Sequence, residues 1–127
     1  MQTIKISGTD DTPGVILDKE NGLFQITGRS LPEDVAAFFE PILEWMAAYA
    51  EDPLEKTIFD FKLSYFNTAS SKLLLDVLLN LEEMVEEGHD VTVRWYYPED
   101  DEDMEEAGEE YADIVEVPFE QISYSLD

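Results

Sequence analysis

Along the 127 residues, stretches in which apolar and polar positions alternate are interleaved with stretches in which apolar residues recur every three or four positions. Val15-Ile16-Leu17 and Leu23-Phe24-Gln25-Ile26-Thr27 flank Lys19-Glu20-Asn21-Gly22. Asn-Gly supplies the positive φ angles of a tight turn, so this pattern predicts a β-hairpin. Ile4 and Ile6 suggest a short strand before it, and Gly8 to Gly14, with Thr12-Pro13, reads as an irregular connection. Ser30 and Glu33 stand at capping-box spacing with Pro32 in the first turn, and Val35, Phe38, Phe39, Ile42, Leu43 and Met46 share one face. The spacing predicts a helix over 32–50. Pro41 removes a backbone hydrogen bond within it, so a kink or break is expected near Phe38 to Glu40, and Asp52-Pro53 ends the helix.

Phe59, Phe61 and Leu63 alternate with Asp60 and Lys62, which predicts a strand over 57–63. From Ala69 to Glu87, Leu74, Val77, Leu78, Leu81 and Val85 recur at helical spacing, and Gly88 stands where a left-handed cap belongs. Val91 to Tyr96 alternates again, so strand, helix and strand form a parallel β-α-β unit. The acidic stretch 99–113 reads as a solvated helix, and 114–117 with 119–124 as a last strand. The predicted fold class is α/β: a mixed sheet with an N-terminal β-hairpin and a parallel β-α-β unit, with helices packed on the sheet. No repeat or linker divides residues 1–127, which are read as one domain.

Composition narrows the function. With 44% hydrophobic and 12% aromatic residues the chain can bury a core. Seven Lys and Arg against 31 Asp and Glu leave a formal charge of −24, a field that repels phosphate backbones and anionic lipids. Nucleic acid and membrane are therefore poor partners. The absence of cysteine excludes thiol nucleophiles, disulfides and cysteine zinc sites, and the single histidine, His89, leaves no multi-histidine metal site. Met1-Gln2-Thr3-Ile4 opens with no basic or apolar leader, so the cytoplasm is the expected location.

Two segments carry candidate chemistry. Glu99, Asp101 and Asp103 alternate as calcium-loop ligands do, and a metal-dependent enzyme or cation-binding protein using 99–113 is the alternative reading. Met104, however, stands where such a loop needs glycine, and Gly108 comes too late. Asp60, Asp76 and His89 read as structural, as do the aromatic residues Trp45, Trp95, Tyr96 and Tyr97. The second segment is Asn67-Thr68-Ala69-Ser70-Ser71-Lys72, between the predicted strand and the long helix. Asn67 is a natural N-cap, accepting from the backbone of Ala69 or Ser70, which leaves the Thr68 hydroxyl near solvent. A phosphoryl group there would meet free N–H groups and the positive helix end, and would confront any docked partner with about −1.5 to −2 charges. The same hydroxyls also serve simply as helix caps.

The sequence resembles the SiaC family of bacterial regulatory phosphoproteins, whose fold is similar to the STAS domains of anti-sigma factor antagonists. The resemblance covers nearly the whole chain. It rests on Gly8-Thr9 with Thr12-Pro13, Ser30-Leu31-Pro32-Glu33, Trp45, Asp60-Phe61 through Asn67-Thr68-Ala69-Ser70-Ser71-Lys72, and Arg94-Trp95-Tyr96. Asn67-Thr68 also resembles the Asp-Ser of the antagonists, whose following serine and glycine are replaced here by Ala69 and Ser70. The resemblance implies a non-enzymatic switch without cofactors. Thr68 would be phosphorylated by a partner-switch kinase and dephosphorylated by a PP2C-type phosphatase, and the unphosphorylated form would bind and stimulate a diguanylate cyclase. Asn67, Ala69, Ser70, Ser71 and Lys72 would support the site or line its docking edge.

Overall fold

The computed structural model describes residues 1–126. The alternating stretches become β1 (Ile4–Ile6), β2 (Gly14–Asp18), β3 (Leu23–Ser30), β4 (Lys56–Phe66), β5 (Asp90–Pro98) and β6 (Phe119–Tyr124). The helical spacings become α1 (Val35–Glu51), α2 (Thr68–Glu86) and α3 (Glu102–Ile114). All six strands form one sheet in chain order. β1, β2 and β3 pair antiparallel, while β3–β4, β4–β5 and β5–β6 are parallel, so each of the three parallel joins passes through a helix. The β2–β3 turn places Gly22 at a φ of 65°, and the buried Asp18 carboxylate accepts from the backbone N and Nδ2 of Asn21 at 3.1 and 2.7 Å. Those two bonds hold the Asp18 carboxyl below its usual range.

The helices cover one sheet face only. On β4, Phe59, Phe61 and Leu63 are buried, whereas Asp60 is half-buried and Lys62 and Ser64 are exposed. This is the period-two signature of a sheet packed on a single side. Phe24, Phe59, Phe61 and Trp95 run across the covered face as a chain of ring contacts, and Trp45 and Tyr49 of α1 close over Phe24. Trp45 also donates its Nε1–H to the Gln2 carbonyl at 2.6 Å, fastening the start of the chain. On the open face Arg94 grips Asp60 bidentately at 2.6 and 2.8 Å, so Asp60 is indeed structural.

Three local expectations give way. Ser30 does not cap α1: it ends β3, and the cap is Asp34, whose carboxylate accepts from the Ala37 N–H at 3.1 Å. Pro32 disfavours helical geometry at Leu31, and the Ser30 side chain is buried and engaged elsewhere, which delays the helix start. Pro41 does not break α1, which runs from Val35 to Glu51 as one helix. Pro41 and Ala37 are both exposed, so water can reach the carbonyl that Pro41 leaves unpaired. Residues 114–117 do not join the last strand; α3 extends to Ile114 and only Phe119–Tyr124 pairs with β5.

The long helix ends as its sequence indicates. Gly88 has a φ of 94°, with Gly88 N–H donating to Val85 and His89 N–H to Met84 at 2.9 and 3.0 Å, the Schellman arrangement. The acidic helix α3 is solvated on one side, but Met104, Gly108 and Tyr111 turn inward at helical spacing. Gly108 lets α3 lie against the Trp95 ring: a Cβ at this position would stand 2.5 Å from Trp95 Cδ1. The ring is fixed by its Nε1–H donating to the Met104 carbonyl at 3.0 Å and cannot easily yield. Gly108→Ala is accordingly expected to destabilise the protein by about 1–3 kcal/mol through overpacking, despite the better helix propensity of alanine. Urea denaturation checks this, and an unchanged or raised midpoint would contradict the close packing.

Candidate functional site

β4 leaves the sheet at Phe66 and the chain turns directly into α2. Asn67 remains extended (φ −88°, ψ 174°), so its side chain reaches forward to accept from the Ser70 N–H at 2.8 Å. Its backbone N–H donates to the Ser30 carbonyl at 3.1 Å, tying the turn to the end of β3. Thr68 is then the first helical residue, exposed together with Ala69. The first turn of α2 carries no acidic residue to neutralise the positive end of the helix.

Ser70 does not line a docking edge. It is fully buried, donating to the Ser30 carbonyl at 2.9 Å and accepting from the Ser30 hydroxyl at 2.8 Å. The pair bolts the first turn of α2 to β3 and satisfies both buried hydroxyls. Ser71 is half-buried, its hydroxyl donating to the Thr68 carbonyl at 2.6 Å and its own carbonyl accepting from the Tyr111 hydroxyl at 2.7 Å. Burial pushes the Tyr111 phenol well above its ordinary range, so it remains a donor at every physiological pH. Lys72 is exposed one turn after Thr68.

The same edge gathers further residues. Thr9 and Thr12 share a hydrogen bond between hydroxyls 2.7 Å apart, and the Thr9 N–H donates to the Thr12 carbonyl at 2.8 Å. This loop is fastened to the chain around the end of β3 by Leu31 N–H to the Asp11 carbonyl at 2.8 Å and Arg29 Nε–H to the Asp10 carbonyl at 3.1 Å. Arg29 also lies over the Tyr65 ring, 5.4 Å from its centroid. The Thr9–Thr12, Ser30–Pro32 and Asn67–Lys72 segments are thereby linked at the end of β3 and the start of α2. Trp45 and the Asp60–Arg94 pair stand apart from them as core and open-face residues. Arg29 and Tyr111 were not visible as site residues in the sequence, and Ser30 appeared there only as a helix cap and within the family resemblance; the helical spacing of Met104, Gly108 and Tyr111 is the signal that could have found Tyr111.

The other candidates do not assemble. His89 follows the C-terminal cap of α2, a helix of 19 residues and so about 28 Å long, which separates it from Thr68. The Asp101 carboxylate caps α3 by accepting from the Met104 N–H at 3.0 Å. Among the described residues no three His, Asp or Glu side chains converge to hold a metal ion, Glu99, Asp101 and Asp103 included. Among the described residues no helix is long and apolar enough to cross a membrane.

Order along the sheet, helices on one face and a capped hydroxyl at the start of the central helix define the class: a six-stranded mixed-sheet α/β protein with three helices. The family model described as "SiaC family regulatory phosphoprotein" matches residues 6–124. The chain belongs to the SiaC family. It is 32% identical over 119 residues, 94% of each chain, to an uncharacterized protein of Pseudomonas aeruginosa strain UCBPP-PA14. SiaC of Pseudomonas aeruginosa superposes with a TM-score of 0.89 at 30% identity, covering 98% of this chain and 100% of that one. A chain in the crystal structure of diguanylate cyclase SiaD in complex with its activator SiaC, also from Pseudomonas aeruginosa, gives a TM-score of 0.90 at 30% identity, covering 95% and 99%.

The contrast between the two hydroxyls gives a stability test. Ser70→Ala strands the buried Ser30 hydroxyl and is expected to cost about 1–3 kcal/mol. Thr68→Ala, at an exposed position, is expected to stay within about 0.5 kcal/mol of the parent. Chemical denaturation of both variants checks the assignment, and equal costs would contradict it.

Proposed function

We propose that this chain is a non-enzymatic switch in which phosphorylation of Thr68 governs binding to a diguanylate cyclase. The observation that carries the reading is the division of labour at the start of α2: Ser70 is buried and structural, while Thr68, two residues earlier, is exposed at the positive end of the helix, its hydroxyl in none of the hydrogen bonds that brace the turn. The family and the solved complex of a 30% identical relative with a diguanylate cyclase support the same reading. The unphosphorylated surface, with Ala69, Ser71 and Lys72 beside Thr68, receives the client and stimulates it. Asn67 supports the site by capping the helix.

A phosphoryl group on Thr68 adds about −1.5 to −2 charges and three acceptor oxygens, welcomed by the helix end and by Lys72 at i+4. The modification therefore leaves the fold intact and changes what the surface presents. A client packed over Thr68 would have to desolvate the phosphate, and it dissociates. A partner-switch kinase sets the phosphate and a PP2C-type phosphatase removes it, both recognising the exposed turn.

Incubation of the protein with lysate of its own cells, ATP and magnesium is expected to place phosphate on Thr68, as read by mass spectrometry. Thr68→Ala is expected to retain the cyclase in a pull-down and Thr68→Asp to lose it. An unmodified Thr68 with equal capture by both variants would overturn the proposal.

A further inference from the structure

The face of the sheet turned away from the helices is as open as the other is covered. One row crosses all six strands on it: Lys5, Ile16, Gln25, Asp60, Arg94 and Glu120 stand side by side, none of them buried. Leu23 and Ile58 lie in the row on one side of it, and Gly14, Tyr96 and Ile122 in the row on the other. Leu23 is 41% exposed, and a hollow of about 310 Å³ opens beside Gly14 between Ile16 and Thr27. The charge of this face is unlike that of the chain. By the alternation of the strands it carries Lys5, Lys56, Lys62 and Arg94 against Asp18, Asp60, Asp90 and Glu120, so four cations balance four acids and the whole net charge of −24 is borne elsewhere.

Two copies of so acidic a chain repel one another through every surface except this one. We propose that the open face pairs with the same face of a second copy, sheet on sheet, about a two-fold axis that runs along the strands between them. Such an axis reverses the strand order and keeps each row facing itself, so the face meets its own complement. Lys5 then stands opposite Glu120 of the second copy, and Gln25 opposite Asp60. In the neighbouring rows Leu23 meets Ile58, and Tyr96 comes over Gly14 and the hollow beside it. Two sheets related in this way pack aligned within about 30°, with the helices and their acids turned outward. At about 4.8 Å between strands and about 3.3 Å per residue, six strands and the five residues of β2 define a face of about 24 by 17 Å, so the pairing is weak and concentration-dependent rather than obligate. It goes beyond the switch reading and does not depend on it, because the Thr68 turn stays free in both copies.

Bulk repulsion and local pairing make opposite predictions for one substitution. Glu120→Lys lowers the net negative charge, which by repulsion alone would tighten self-association, whereas the pairing of Lys5 with Glu120, made twice in the dimer, requires it to weaken. The experiment is sedimentation equilibrium of the full, unphosphorylated chain alone over a wide range of concentration. The parent is expected to pass reversibly from monomer to dimer, and more readily as salt rises from about 0.1 M to about 1 M, where the Debye length falls from about 10 to 3 Å and the repulsion of the outward acids is screened. At one fixed salt concentration, Glu120→Lys and Lys5→Glu are each expected to weaken the dimer about ten-fold, with melting temperatures near the parent, and the two together to return it to within three-fold of the parent. Glu44→Lys, the same charge change as Glu120→Lys but on the exposed side of α1, is expected not to weaken it. A parent that stays monomeric throughout, or self-association that Glu120→Lys leaves unchanged or tightens, or that the paired substitution fails to restore, would overturn the proposal.

Discussion

Four parallel strands laid side by side in chain order require three crossovers, and everything else in this structure follows from that requirement. Crossovers of one hand, taken in one direction across a sheet, put every connecting helix on the same face. The buried side of β4, Phe59, Phe61 and Leu63, and the accessible side, Asp60, Lys62 and Ser64, record the outcome residue by residue. The same topology brings β3 and β4 to an end together, so segments distant in sequence meet: the loop at Thr9–Thr12, the turn at Ser30–Pro32 and the start of α2. The site is thus a product of topology before it is a product of particular side chains.

Within that edge the Ser30–Ser70 pair separates structure from signalling. A buried hydroxyl pair that is mutually satisfied fixes the position of the α2 first turn, since losing either partner exposes the other to the full desolvation penalty. Asn67 adds the cap and Tyr111 ties the same turn to α3. The Thr68 side chain rides on this braced turn without taking part in its bracing. A covalent change at Thr68 would therefore act on a braced surface, and on the proposed reading its effect would be read by whatever docks there rather than by the fold. The strong negative charge carries a parallel lesson. Seven of the 31 acids stand on the 13 residues of α3, where an inward line of Met104, Gly108 and Tyr111 packs while the outer side remains in water.

Much of this was legible in the chain. Period-two alternation located the hairpin, β4 and β5, helical spacing located α2, and Asn67 and Gly88 announced its two ends. Such signals are local, each depending on residues within one turn or one strand pair. The misreadings share the opposite property. Ser30 looked like a helix cap because its true partner, Ser70, lies forty residues away. Pro41 looked like a break because the sequence does not show that its unpaired carbonyl neighbour faces water. Ser70 looked like a member of the docking edge because burial at a helix start depends on what packs beneath it. The capping role of Asn67 already left the Thr68 hydroxyl as the one near solvent, and the family resemblance added the expectation that it is phosphorylated.

The central claim is that phosphate on Thr68 changes binding while leaving the fold as it is. The direct test compares stoichiometrically phosphorylated and unphosphorylated protein, verified by intact mass, in both thermal unfolding and stimulation of cyclic di-GMP formation by purified diguanylate cyclase SiaD. The account predicts closely similar unfolding curves, with stimulation by the unphosphorylated form and at least a ten-fold loss in the phosphorylated one. Equal stimulation by both forms, or a loss that accompanies unfolding of the phosphorylated chain, would contradict it.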